Sequence, residues 1–67
     1  METKTYNLWI ARDKCGALFI YDKEPQLHEA TKSFDSVDSE IFEELSSGLF
    51  QEVTFENSPR QIEIKVI

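Results

Sequence analysis

The side chains equipped for chemistry are few. Cys15 is the only thiol and His28 the only imidazole. A Cys/His nucleophile pair needs a third group to orient the base, and the sequence specifies none. Cys15 sits in Asp13-Lys14-Cys15-Gly16, a turn pattern that many residue types would fill, and His28 lies in a polar stretch without periodicity. Two soft or imidazole ligands fall short of the four a structural zinc normally takes. One cysteine excludes a disulfide within the chain. Gly16 and Gly48 are the only glycines, so a glycine-rich phosphate loop is absent. Carboxylates are plentiful, but acid–base catalysis needs two in unlike environments, and Glu43-Glu44 on a solvated face offers no such contrast. Asp35-Ser36-Val37-Asp38-Ser39-Glu40 lacks the alternating oxygen ligands, the sixth-position Gly and the closing Glu of a calcium loop. The residues therefore assign no catalytic site, no metal site and no cofactor. The expectation is a protein that is not an enzyme.

Recognition is the remaining chemistry. Seven basic against thirteen acidic side chains leave a net charge of −6. Residues 1–32 are neutral overall, so all the excess lies in residues 33–67. A phosphate backbone would be repelled there, and no nucleic acid is expected as a partner. Glu40, Glu43 and Glu44 form a candidate acidic patch, read either as a solubilising face or as a surface for a basic protein. Among the aromatics, Trp9 stands apart. Tyr6, Leu8 and Ile10 alternate onto one face of a strand, which turns Trp9 to the other beside Asn7 and Ala11. Trp9, Asn7 and Ala11 are thus a candidate interface, unless residues 22–34 fold over them.

These residues need elements to hold them. Thr5–Arg12 alternates as a strand with large apolar groups on both faces, which suits a central or doubly covered position. Asp13 and Gly16 mark a type I turn with Gly in the left-handed conformation. Ala17–Tyr21 continues as the second strand of a hairpin over residues 5–21. Asp22-Lys23-Glu24-Pro25 reads as a loop, and residues 26–34 as a helical turn or a loose strand ending at Phe34. For residues 38–50 two readings remain open. One is a helix capped by Asp38, with Ile41, Phe42, Leu45 and Leu49 on one stripe and Gly48 at its end. The other is a short extended piece followed by one helical turn at Ser46–Phe50. Glu52–Glu56 alternates like a strand, Asn57-Ser58-Pro59 is a turn, and Gln61–Ile67 is the cleanest alternation, with Ile62, Ile64 and Val66 inward and Glu63 and Lys65 outward. The sum is α+β: a small antiparallel sheet of about four strands with one short helix.

Sixty-seven residues hold a single small domain, 1–67. A chain near 60 residues buries only about 60% of the surface its unfolded form exposes, and small domains are commonly stapled by disulfides, metals or association. With the first two excluded, a second copy of the chain is the staple still available. No basic head and apolar run opens the sequence, and its longest apolar stretch, Ala17–Tyr21, is far short of the ~20 residues of a membrane span. A cytoplasmic location and no membrane partner are the corresponding expectations.

The runs Leu8-Trp9-Ile10-Ala11-Arg12-Asp13-Lys14-Cys15-Gly16-Ala17-Leu18 and Leu49-Phe50-Gln51-Glu52-Val53-Thr54-Phe55-Glu56-Asn57-Ser58-Pro59 resemble a group of short uncharacterised proteins of gut bacteria and their phages. That group carries a Trp-Ile-Ala-Arg-Asp opening and a Leu-Phe-Pro-Glu-Val-Thr segment before a last strand. This chain has Gln51 where the group tends to Pro, and residues 22–45 resemble it little. The resemblance implies a small soluble intracellular accessory protein, of mobile-element type, and carries over no site residue. The reading of function is a non-enzymatic interaction protein, self-associating or bound to another protein. The alternative is an acidic decoy that mimics nucleic acid for a basic partner.

Overall fold

The computed structural model describes residues 3–67. Six strands follow one another: β1 Lys4–Arg12, β2 Leu18–Tyr21, β3 Gln26–His28, β4 Ser33–Asp35, β5 Phe42–Leu45 and β6 Arg60–Val66. Four form an antiparallel sheet in the order β5-β2-β1-β6, and β3-β4 forms a separate antiparallel hairpin. The fold is all-β, with no helix among the described residues. The expectation of an α+β fold with one short helix is therefore wrong.

The first hairpin forms where the alternation and its turn residues place it. The Asp13 N–H donates to the Ala17 carbonyl (2.8 Å) and the Gly16 N–H to the Asp13 carbonyl (2.9 Å). Gly16 takes φ 101°, a backbone state that a side chain makes costly. The register Ile10↔Ile20 and Trp9↔Tyr21 stacks like faces together. On one face, Ile10 and Leu18 are fully buried with Val53, flanked by Ile20, Leu45 and Ile62. On the other, Ala11 and Tyr21 are buried beneath Phe34 of β4, flanked by Trp9, Phe19 and Phe55. Both faces of β1 are thus covered, but only toward its Arg12 end.

Residues 38–50 fail to make a helix because two stronger claims compete for them. β2 has an open edge, and Phe42–Leu45 fills it in the register Tyr21↔Phe42 to Leu18↔Leu45. Phe42 then stacks edge-on against Phe19 (5.2 Å) and Tyr21 (5.3 Å), contacts worth about 0.5–1.5 kcal/mol each beyond area. The N–H groups that would open a helix are taken by Asp22, whose carboxylate accepts from Glu40 (2.9 Å) and Ile41 (3.3 Å). Desolvation pushes that carboxyl up. The Ile41 and Glu40 N–H groups and the Ser39 hydroxyl outweigh it and hold the carboxyl below the usual aspartate value. The extended piece with a following turn is the nearer reading: the Leu49 N–H closes a turn onto the Ser46 carbonyl (3.0 Å).

Glu52–Glu56 is not a strand either. Asn57 Oδ1 accepts from the Thr54 N–H (2.8 Å), and its amide donates to the Glu52 carbonyl (2.9 Å). Such local side-chain bonds compete with a ladder. The segment passes from face to face beside Arg12, whose N–H donates to Ser58 Oγ (2.9 Å). Val53 enters one core cluster and Phe55 the other.

Tyr21 carries a pH consequence. It is fully buried, and its hydroxyl donates to the Phe34 carbonyl (3.3 Å). Burial, then the charges of Asp13 and Asp35, push the phenol up from 10.0 to about 12. The fold therefore favours the neutral ring. Stability from this group is fully present below pH ~10 and is lost as pH rises from there toward 12, a decline of about 2–3 kcal/mol. Urea unfolding across alkaline pH should show a steeper fall for the native chain than for Tyr21→Phe. Identical slopes would rule the effect out.

Candidate interaction surface

The structure separates the residues that sequence reasoning grouped. Ala11 is fully buried, packed with Tyr21 and Phe34, and offers nothing to a partner. Trp9 is half-buried at the margin of the same cluster, and Asn7 alone of the three is exposed. Residues 26–35, as the β3-β4 hairpin, bring the Phe34 that covers this face. The acidic patch is divided too. Glu43 lies opposite Ile20 and Glu44 opposite Phe19, so strand alternation sends them to opposite faces. Glu40 precedes the strand, tied through its N–H to Asp22. Cys15 is exposed in the β1-β2 turn. His28 lies in β3, its Nε2 3.6 Å from the Asp35 carboxylate, and no hydrogen bond joins it to Cys15. Among the described residues no group of acids, Cys and His is placed to hold a metal.

Arg12 and Asp13, which carry no weight in a search for chemistry, prove to be the clamps of the fold. The Arg12 guanidinium donates to five carbonyls: Val53 (2.6 Å), Gly16 (2.8 Å), Leu49 (2.9 Å), Ser47 (3.0 Å) and Phe50 (3.1 Å). It draws the 46–53 loop over one face. The Asp13 carboxylate accepts the Phe34 N–H (2.8 Å) and moors the β3-β4 hairpin over the other. Their only legible signal was position, two charged residues where a strand with two apolar faces ends.

Away from these clamps the sheet thins. β2 pairs with β1 only from Trp9 to Arg12, whereas β6 pairs from Lys4 to Ile10. Residues 4–8 and 62–66 therefore form a two-stranded ribbon that lengthens the molecule to 46 Å against 26 and 17 Å. On the ribbon, Tyr6↔Ile64 and Leu8↔Ile62 share a face with Ile10. That face is bare: Tyr6 is 47%, Ile64 40% and Val66 52% exposed. Of the residues patterned to point inward, Ile62 still reaches the Ile10 cluster, while Tyr6, Ile64 and Val66 lie about half exposed. A two-stranded ribbon is marginal in water without such cover, and a contiguous apolar face marks an interaction site more often than a scatter of single residues does.

The chain matches no protein-family model, no curated protein and no solved structure. Among the described residues no helix is long and apolar enough to cross a membrane.

Proposed function

We propose that this chain is a non-enzymatic interaction module of the cytoplasm that binds a protein through the bare face of the β1-β6 ribbon. The observation that carries the reading is the run Tyr6, Ile64 and Val66, apolar, adjacent and about half exposed. The energetic case is direct. Covering that run recovers about 25 cal/mol for each Å² of apolar surface removed from water and stiffens a ribbon that has a single neighbour. The acidic decoy draws less support, because Glu43 and Glu44 point to opposite faces and so build no row of charge on one side.

A photoreactive phenylalanine analogue placed at Ile64 tests the reading, with the same analogue at exposed Glu24 as reference. The expected result is a discrete protein adduct from the Ile64 position, in purified protein or in cell extract, which Tyr6→Lys diminishes and the Glu24 position never gives. Equal labelling from both positions, or no discrete adduct at all, would refute it.

A further inference from the structure

We propose that the ribbon meets a second copy of this chain, joined edge to edge by antiparallel pairing of β6 with its counterpart across a two-fold axis at Ile64, so that the bare face of each ribbon continues into that of the other. The inference rests on the interaction reading above in placing the contact on the β1-β6 ribbon, and adds a contact along its edge.

The backbone fixes which groups are free. In an antiparallel sheet, alternate residues of a strand turn their N–H and C=O groups to opposite neighbours. Asp13 bonds Ala17 across the hairpin, so the odd-numbered residues of β1 face β2. The even-numbered ones face β6, as the Arg12 N–H confirms by reaching Ser58 on that side. The pairs Tyr6↔Ile64 and Leu8↔Ile62 are then the hydrogen-bonded ones. The even residues of β6 are used within the chain, while Gln61, Glu63 and Lys65 present free backbone groups along the outer edge. A two-fold pair of such edges must match odd residues with odd residues. Centring on Glu63 sets Glu63 against its own copy, and centring on Lys65 does the same for Lys65. Like charges directly opposite are destabilising. Centring on Ile64 sets Glu63 opposite Lys65 twice over, with Ile62 opposite Val66 and Ile64 opposite itself on the apolar face. Among the described residues neither Glu63 nor Lys65 is in an ion pair. Their neighbours across β1, Asn7 and Thr5, are uncharged, so both charges are free to meet a copy.

The other open edges suit this less. β5 carries Glu43 and Glu44 on a four-residue strand, which repel their own copies, and the unpaired stretch of β1 offers only Thr5 and Asn7 beside it. β6 has no Pro and pairs with β1 without a bulge; of the usual protections of an exposed edge it carries charge, and the Ile64-centred register sets Glu63 and Lys65 as opposite-sign partners. A two-fold β6 pairing makes one eight-stranded sheet and joins the two bare faces into one, with a closed symmetry that stops at two copies.

Sedimentation equilibrium across the micromolar range is expected to show a monomer–dimer equilibrium. Lys65→Glu and Glu63→Lys should each weaken the dimer by about tenfold or more, since each turns two attractive pairs repulsive, and the double exchange Glu63→Lys/Lys65→Glu should restore it. Amide exchange should report the register. The Glu63 and Lys65 amides slow with rising concentration, while those of Ile62 and Ile64, already bonded to β1, change little. In a Cys15→Ser background, Ile64→Cys should form a disulfide-linked dimer on mild oxidation, because residues on the two-fold axis of a non-hydrogen-bonded pair lie about 4.5 Å apart at Cα. A strict monomer at all concentrations overturns the second copy, as does a dimer indifferent to both charge reversals. If Ile64 then still labels a different protein in extract, the interaction reading survives alone. If it labels nothing, both fall.

Discussion

Arg12→Ala is expected to lower the stability of the chain by about 2–4 kcal/mol, a large part of the roughly 3–10 kcal/mol that a domain of this length possesses. Charge-assisted hydrogen bonds contribute about 1.5–3 kcal/mol when desolvated and much less when wet. Two of the five carbonyls that Arg12 holds, those of Val53 and Gly16, are partly buried, and those of Ser47, Leu49 and Phe50 are exposed. Losing the guanidinium frees the 46–53 loop and with it Val53, the cover of Ile10 and Leu18. With a urea m-value near 1 kcal/mol/M, the midpoint should fall by roughly 2 M or more. Arg12→Lys should recover only a fraction, because one compact ammonium cannot reach carbonyls spread around a planar fork. A midpoint unchanged in Arg12→Ala would mean that the loop is held by Val53 packing alone.

Phe34→Ala should cost more, about 3–5 kcal/mol, which leaves little fold. Phe34 is 7% exposed and spans the second face from Ala11 and Tyr21 to Phe55, whose ring lies 5.9 Å away. Its carbonyl accepts from Tyr21 and its N–H donates to Asp13, so a collapse at this position also loosens the two bonds that seat the hairpin. The emission of Trp9, at the edge of the same cluster, should shift to the red, and amide NMR dispersion should narrow. Phe34→Leu, which keeps most of the volume, should retain a cooperative transition. A native-like spectrum for Phe34→Ala would show that the hairpin is dispensable cover.

Most of the sheet was legible because two periodicities agreed with their turn chemistry. Tyr6, Leu8 and Ile10 against Asn7, Trp9 and Ala11 gave β1 its two faces, Asp13 and Gly16 placed the first turn, and Ile62, Ile64 and Val66 marked β6. The middle was illegible for physical reasons. The stripe Ile41, Phe42, Leu45 and Leu49 satisfies a helical period locally, and only the open edge of β2 and the carboxylate of Asp22, 18 and more residues away, decide for a strand. Local pattern cannot weigh a distant vacancy in a sheet. Val53-Thr54-Phe55 alternates as a strand would, yet its alternation serves two cores on opposite sides of another strand. The bare surface was not legible as such. The candidate interface Trp9, Asn7 and Ala11 lies on the face that β4 covers toward the Arg12 end. The open face was the one read as inward. Whether a patterned face finds cover depends on how far the covering loops reach, and here Arg12 and Asp13 hold both covers at one end.

The strand order β5-β2-β1-β6 has a consequence for the path of folding. β1 meets β2 after the five residues 13–17, but it meets β6 only across the pairs Ile10↔Arg60 to Lys4↔Val66, separations of about fifty to sixty residues. Closing so long a loop must be offset before its contacts are gained, and topologies dominated by such distant pairs fold slowly for their size. On the ribosome the β1-β2 hairpin can form while the partner strand for Lys4–Leu8 has yet to be synthesised. During that interval Tyr6 and Leu8 lack the strand they pair with, and a transiently unpaired strand of this kind is where an incomplete chain is most open to aggregation.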